Sequence, residues 1–201
     1  MPAEIIQARS APETERRVIV VGAGAGGMMA AGRAAELGAH VLLLEKTERP
    51  GKKLLISGKR RCNLSNAKPL DDFLAMYGAN GRFLRSAFGH FFRDELLALL
   101  RRYGVETTTE TDGRIFPSSN DAHDVVEALQ HYCEDHGVEL RTGIKVRAIQ
   151  VQEGRVTGVQ TEREVLPATG AVLATGGASY PGTGSQGDVV LNIGDLLPEV
   201  K

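Results

Sequence analysis

The chain is poor in the residues that would point to several common functions. It has no tryptophan, only 5% aromatics and two cysteines in 201 residues. Cys62 and Cys133 stand far apart and form no C-x-x-C, so no disulfide framework or zinc site is expected, and a reduced, cytoplasmic compartment is the simplest reading. With 24 basic and 25 acidic residues the net charge is −1, and no block of one sign occurs, so no nucleic-acid partner is expected. No apolar stretch is long and uniform enough to span a bilayer, so no membrane association is expected. Arg16-Arg17 before an apolar run imitates a secretion signal, but glycines interrupt that run and Glu4, Glu13 and Glu15 precede it. The cluster His131, Cys133 and His136 looks like a metal site, yet its spacing spreads the residues over different faces of one helix.

Glycine, by contrast, is abundant, with 24 residues. Val18 to Val21 is a β-rich apolar run suited to a strand buried on both faces of a parallel sheet. Gly22, Gly24 and Gly27 follow with G-x-G-x-x-G spacing: a tight turn, a close approach of backbone to pyrophosphate, and close helix packing. A helix from Ala25 to Leu37, stopped by Gly38, and a second strand from His40 to Glu45 complete the unit. The helix start offers free N–H groups and the positive end of its dipole to phosphates. Glu45, 18 positions past Gly27, is placed to accept a ribose hydroxyl and would repel a 2′-phosphate. Strand, turn, helix, strand and acid together make a dinucleotide site.

Beyond Glu45, Lys46 to Lys53 reads as a basic loop. Its lysines are either a solvated run or ligands for pyrophosphate oxygens, because the segment leaves the sheet beside the glycine turn. Arg82 to Tyr103 has apolar residues at helical spacing, with Asp94 as an internal cap and its phenylalanines in the core. Asp112-Gly113 turns a hairpin into Arg114 to Pro117. Ser119 or Asn120 caps a helix from Asp121 to His136, and Val138 to Arg141 is a strand. Lys145 to Val151 and Arg155 to Thr161 pair about a Glu153-Gly154 turn, and a third strand from Gly170 to Ala174 returns to the sheet, ending in Thr175-Gly176. Such a meander in place of further βα units favours FAD over NAD. The expected fold class is α/β, a Rossmann-like FAD-binding domain with a central parallel sheet, a β-meander and flanking helices.

Four segments resemble the BaiN-type and aminoacetone-oxidase-like family of NAD(P)/FAD-dependent flavoprotein oxidoreductases. They are Val18 to Lys46; Lys52 to Gly58 with Arg61-Cys62-Asn63; Gly113 to Pro117; and Ala174 to Ser185. The second and fourth are the distinctive ones. The resemblance implies FAD as cofactor, with Gly22, Gly24, Ala25, Gly26 and Gly27 around the pyrophosphate and Glu45 on the adenosine ribose. It also implies that Lys46 and Lys53 lie along the cofactor, that backbone at Val146 meets the adenine, and that Thr175 and Gly176 lie against FAD. The Ser57–Asn63 loop is implied near the flavin, with Cys62 more simply a packed or flavin-adjacent thiol than a redox residue. No catalytic residue is assigned, since the flavin carries the chemistry.

Two departures stand out. Where the family loop carries glycines, this chain has Lys59-Arg60. Family members also run to about twice this length, with an inserted substrate domain and a returning segment over the flavin. Residues 1–16 are expected as a mobile leader, 17–188 as the FAD-binding domain and 189–201 as a divergent tail. The implied function is a flavoprotein oxidoreductase acting on a small-molecule substrate, with electrons exchanged with NAD(P)H or oxygen. Two alternatives stand beside it: a catalytically incomplete nucleotide-binding fragment, and one half of a split flavoenzyme completed by a complementary C-terminal chain. A plain NAD-dependent dehydrogenase is the weakest reading.

Overall fold

A computed structural model describes residues 16–177. The expected leader, most of the fourth resemblance segment and the tail lie outside the described residues. In chain order the elements are β1 (Arg17–Val21), α1 (Ala25–Glu36), β2 (His40–Leu44), α2 (Lys52–Ile56), β3 (Ser65–Asn66), α3 (Leu70–Ala75), α4 (Arg85–His90) and α5 (Arg93–Arg102). There follow β4 (Thr107–Thr109), β5 (Arg114–Pro117), α6 (Ala122–Asp135), β6 (Glu139–Arg141), β7 (Val146–Gln152), β8 (Arg155–Thr161), β9 (Val165–Pro167) and β10 (Gly170–Leu173).

Four strands form a parallel sheet in the order β10-β1-β2-β6. The chain runs from β1 outward through β2 and β6 on one side and later returns as β10 on the other, so the strand order reverses at β1 and a crevice opens between β1 and β10 at their carboxyl ends. The strands are apolar throughout because both faces are covered. Val20, Val41 and Leu43 face a layer that includes Met28 and Ala31 of α1 and Leu129 and Cys133 of α6. Ile19, Val21, Leu42 and Leu44 face Val159 and Leu166 of the meander β7-β8-β9. Alternation along two short strands thus supplies both cores of a three-layer α/β fold.

The helix pair α1 and α6 is fitted tightly. A Cβ on Gly32 would lie 2.3 Å from the Tyr132 ring, so glycine is needed there for helix approach. The Tyr132 hydroxyl donates to Glu36 Oε2 at 3.0 Å, crossing from α6 to the end of α1.

Several expectations are corrected. The Arg82–Tyr103 segment is broken: α4 ends at His90 and α5 starts at Arg93. Asp94 is not the cap; the Phe92 N–H occupies that position and donates to Glu95 at 2.9 Å. The phenylalanines of this segment are not in the sheet core. Phe73, Phe88 and Phe92 pack on one another and on Tyr77 as a satellite cluster, while Phe83 is 87% exposed. The large α6 helix is capped by Asp121, whose carboxylate accepts from His123 N at 2.9 Å. Ser119 instead accepts from Asp121 N, and Asn120 takes a left-handed φ of 59°. Finally, the meander's third strand is β9, while β10 belongs to the parallel sheet beside β1.

Candidate functional site

Gly22 leaves β1 with φ +100°, and a Cβ there would lie 2.6 Å from the Ala174 carbonyl oxygen at the end of β10. Gly27 is more tightly held: its Cβ would fall 1.7 Å from the Gly22 carbonyl oxygen. Gly24 and Gly26 differ, with nothing within 4 Å of a built Cβ. Two glycines of the turn therefore serve packing, and two leave open space above the start of α1.

That space is part of a cavity of about 540 Å³. Of the residues expected from sequence, Gly22, Gly24, Ala25 and Gly26 line it from the turn, and Glu45 and Lys46 from the end of β2. Lys53 lines it from α2, Val146 from β7, and Thr175 and Gly176 from beyond β10. Gly27 is not among the lining residues; it sits behind the turn as a spacer. The Lys46–Lys53 segment is not the plain loop expected, since Lys52 and Lys53 begin the short helix α2.

Glu45 holds the turn together. Its Oε2 accepts from Ala23 N at 2.8 Å, and its Oε1 accepts from both the N–H and the hydroxyl of Thr47, each at 2.8 Å. Sequence reasoning did not single out Thr47; its hydroxyl two residues after the acid was the available signal. Nor did it single out Arg49 and Lys145, which also line the cavity, whereas Asn63, from the loop implied near the flavin, does line it. The lining basic side chains outnumber the one lining carboxylate, Glu45. On the far side, the Thr175 hydroxyl oxygen is buried without a hydrogen-bond partner.

The Ser57–Asn63 loop closes one side, with Ser57 and Asn63 lining the cavity. Cys62 is 1% exposed and outside the lining; burial pushes its thiol above the ordinary range, which lowers its reactivity. Gly58, Lys59 and Arg60 all take left-handed φ values, of 55°, 58° and 71°. For non-glycine residues this costs roughly 1–2 kcal/mol each. Arg61 anchors the loop: it pairs with Glu110 at 2.6 Å and lies 4.0 Å over the Phe116 ring.

The cysteine and histidines of α6 lie away from this cavity. Cys133 points at the Met28 carbonyl at 3.3 Å, with its thiol pushed up to about 11 by burial, and His136 Nδ1 meets the Tyr132 carbonyl at 2.9 Å. Among the described residues no helix is long and apolar enough to cross a membrane.

An open glycine cradle, a buried hydroxyl without a partner and a surplus of cations fit a dinucleotide with its pyrophosphate. The fold and the site define a dinucleotide-binding domain of the Rossmann type. The chain belongs to the family described as the HI0933-like protein Rossmann domain, whose model matches residues 16–194. Family and fold make this an FAD-binding domain of an oxidoreductase family, with FAD as the cofactor. The resemblance read from the four segments is borne out.

The ribosomal RNA dihydrouridine synthase of Escherichia coli (strain K12) is 32% identical over 171 residues, covering 83% of this chain and 41% of that protein. The 3-dehydro-bile acid delta(4,6)-reductase of Clostridium scindens (strain ATCC 35704 / DSM 5676 / VPI 13733 / 19) is 33% identical over 174 residues, covering 85% of this chain and 41% of that protein. The chain thus spans about two fifths of the length of these relatives. Among solved structures, the 3-ketosteroid-delta4-(5alpha)-dehydrogenase of Rhodococcus jostii RHA1 superposes with a TM-score of 0.62 at 18% identity, over 86% of this chain and 48% of that one. That likeness concerns the fold.

Proposed function

We propose that this chain is the FAD-holding part of a cytoplasmic oxidoreductase that adds hydrogen to a carbon–carbon double bond of an unsaturated organic substrate. NAD(P)H supplies the hydride for this addition through the flavin, water supplies the proton, and oxygen, an acceptor, only drains electrons from the reduced flavin. The observation that carries the reading is the shared cavity at the end of β1, into which the glycine turn, the end of β2, α2, β7 and the end of β10 all open. The reaction class rests on the names of two relatives, a dihydrouridine synthase and a delta(4,6)-reductase, each naming a product or a bond consistent with such a reduction.

In this reading Gly22, Gly24, Ala25, Gly26 and Gly27 form the pyrophosphate cradle, and the N–H groups at the start of α1 donate to its oxygens. Glu45 accepts a ribose hydroxyl while Thr47 and Ala23 keep its carboxylate aimed. Lys46 and Lys53 stand beside the phosphates, backbone at Val146 meets the adenine, and Thr175 and Gly176 border the cofactor, where the Thr175 hydroxyl gains the partner it lacks. Bound FAD supplies the hydride chemistry, and this chain binds and orients it. No side chain is assigned to catalysis. The domain is taken as 17–188, flanked by a leader of 1–16 and a tail of 189–201.

A visible absorption spectrum of the purified protein, followed by acid release of its chromophore, tests the cofactor. Released FAD is the expected result. A colourless protein that takes up no added FAD overturns the reading. If FAD is held, rapid mixing with NADPH tests the chemistry: reduced flavin supports the oxidoreductase, and flavin that stays oxidised counts against NADPH as its donor.

A further inference from the structure

The turn at residues 58–60 is held in a conformation that its side chains disfavour, and two of those side chains are basic. Gly58 is pressed between the Asn63 backbone and the Phe116 ring, with a Cβ there meeting atoms at 2.8 and 2.9 Å. Cys62 is buried with φ 62°, and its N–H donates to the Ser57 carbonyl at 3.1 Å. Arg61 is pinned to Glu110 and to Phe116, and Glu110 is further neutralised by Arg114 at 3.1 Å. The base of the loop is therefore fixed by packing on both sides. What it presents are Lys59 and Arg60, both exposed, and neither has a side-chain hydrogen bond or ion pair among the described residues. Backbone strain that persists in a clamped loop beside a cavity marks a site whose geometry serves something other than stability.

Position says what the two cations serve. The loop's flanks, Ser57 and Asn63, line the cofactor cavity, while Lys59 and Arg60, between them in the chain, are exposed and are not among its lining residues. The cavity itself already carries Arg49, Lys52, Lys53 and Lys145 against one carboxylate, more positive charge than a single pyrophosphate requires. Glu45, placed at the ribose position of the first site, disfavours a phosphorylated ribose there. A phosphorylated ribose is thus better met away from Glu45, and the strained loop offers a fork-shaped guanidinium beside an ammonium.

We propose that Lys59 and Arg60 form a second phosphate-recognition site beside the cavity, taking a phosphate of a nucleotide other than FAD. This rests on the FAD reading only for the identity of the neighbouring ligand. Two sources carry the same chemistry: the ribose phosphate of a nicotinamide dinucleotide, and the backbone of a single RNA strand.

The double variant Lys59→Gly with Arg60→Gly tests it, because glycine adopts the left-handed turn without strain and the variant folds. NADPH, NADH and a labelled single-stranded RNA oligonucleotide are titrated against the FAD-loaded wild type, the double variant and an Arg155→Gly control at the exposed start of β8. Flavin absorbance reports FAD retention independently, and if the protein is colourless the same titrations are run on the apoprotein. The expected result is binding of at least one probe that weakens roughly tenfold or more in the double variant only. FAD retention stays within about twofold and Tm is unchanged or higher. Preference for NADPH over NADH identifies a dinucleotide phosphate; salt-sensitive RNA binding identifies a strand. Equal affinities in wild type and double variant, or no binding of any probe by the wild type, overturn the proposal.

Discussion

The glycines of the first turn fall into two kinds that a substitution can separate. Gly27 touches the Gly22 carbonyl so closely that a methyl group would sit 1.7 Å from its oxygen, whereas a methyl group on Gly24 meets nothing within 4 Å. Gly24 also has φ −81°, which any residue adopts. Gly24→Ala should therefore leave the Tm of the apoprotein unchanged yet weaken FAD binding severely, because the added methyl occupies the cradle. Gly27→Ala should fail to fold or should melt far lower. Thermal melts with and without FAD distinguish the two, and equal losses of apo stability would contradict the assignment. Glu45 makes the second residue-scale test. Glu45→Ala abandons three hydrogen bonds and should cost about 1–3 kcal/mol of apo stability, together with a tenfold or larger loss of FAD affinity, read by urea denaturation and flavin titration. Thr47→Val keeps the backbone donor and should show a smaller loss on both. The spacing of Gly22, Gly24, Gly27 and Glu45 was legible in the sequence because it is a backbone requirement. Thr47 was not, since its role depends on how the chain turns after β2.

At the scale of elements, α1 and α6 cross closely where Gly32 admits the Tyr132 ring. Gly32→Ala should destabilise the fold by about 1–3 kcal/mol, because a buried ring and two helices must shift. Tyr132 is 3% exposed, and burial, with the neighbouring Glu36 adding to it, pushes its phenol up from 10.0 to about 12. Folding therefore favours the protonated phenol. That contribution, about 2–3 kcal/mol for such a shift, is complete below pH 10 and is lost as pH climbs through 12. Tyr132→Phe should cost about 1 kcal/mol at neutral pH and flatten this alkaline decline, leaving the share of Cys133, whose thiol is pushed up to about 11. Denaturation series at stepped pH read both effects, and an unchanged decline would refute the assignment to Tyr132. Elements with long periodic patterns, α1, α6 and the β7–β8 hairpin, were legible in the sequence. The break at Phe91-Phe92 was not, because apolar spacing continues across it while the rings of Phe73, Phe88 and Phe92 draw the chain into a cluster of their own. β9, three residues long, is set by its pairing with β8 and carries no local pattern.

For the whole molecule, the parallel sheet was foreseeable from two uniformly apolar strands, which only a sheet covered on both faces accommodates. The order β10-β1-β2-β6 was only partly so: the return of β10 was expected, but nothing in Glu139 to Arg141 signals an edge strand beside β2. That order creates the crevice, and the cavity in it joins segments far apart in the chain: 21–26, 44–54, 144–146 and 174–176. Backbone contacts already link them. Gly22 N donates to the Leu44 carbonyl, Gly51 N to the Ala23 carbonyl, Ile144 N to the Glu45 carbonyl and Ala174 N to the Val21 carbonyl. A ligand that fills the cavity should therefore stabilise the domain as one unit, by about 2.7 kcal/mol at a hundredfold excess over its Kd. Hydrogen exchange with and without FAD should show added protection in all four segments together, with slower exchange carried into β1 and β2 behind them. Gly24→Ala, which blocks the cradle, should abolish the whole pattern at once. Protection confined to the glycine turn would mean that the ligand holds only the start of α1, and that the remainder of the cavity serves a different occupant.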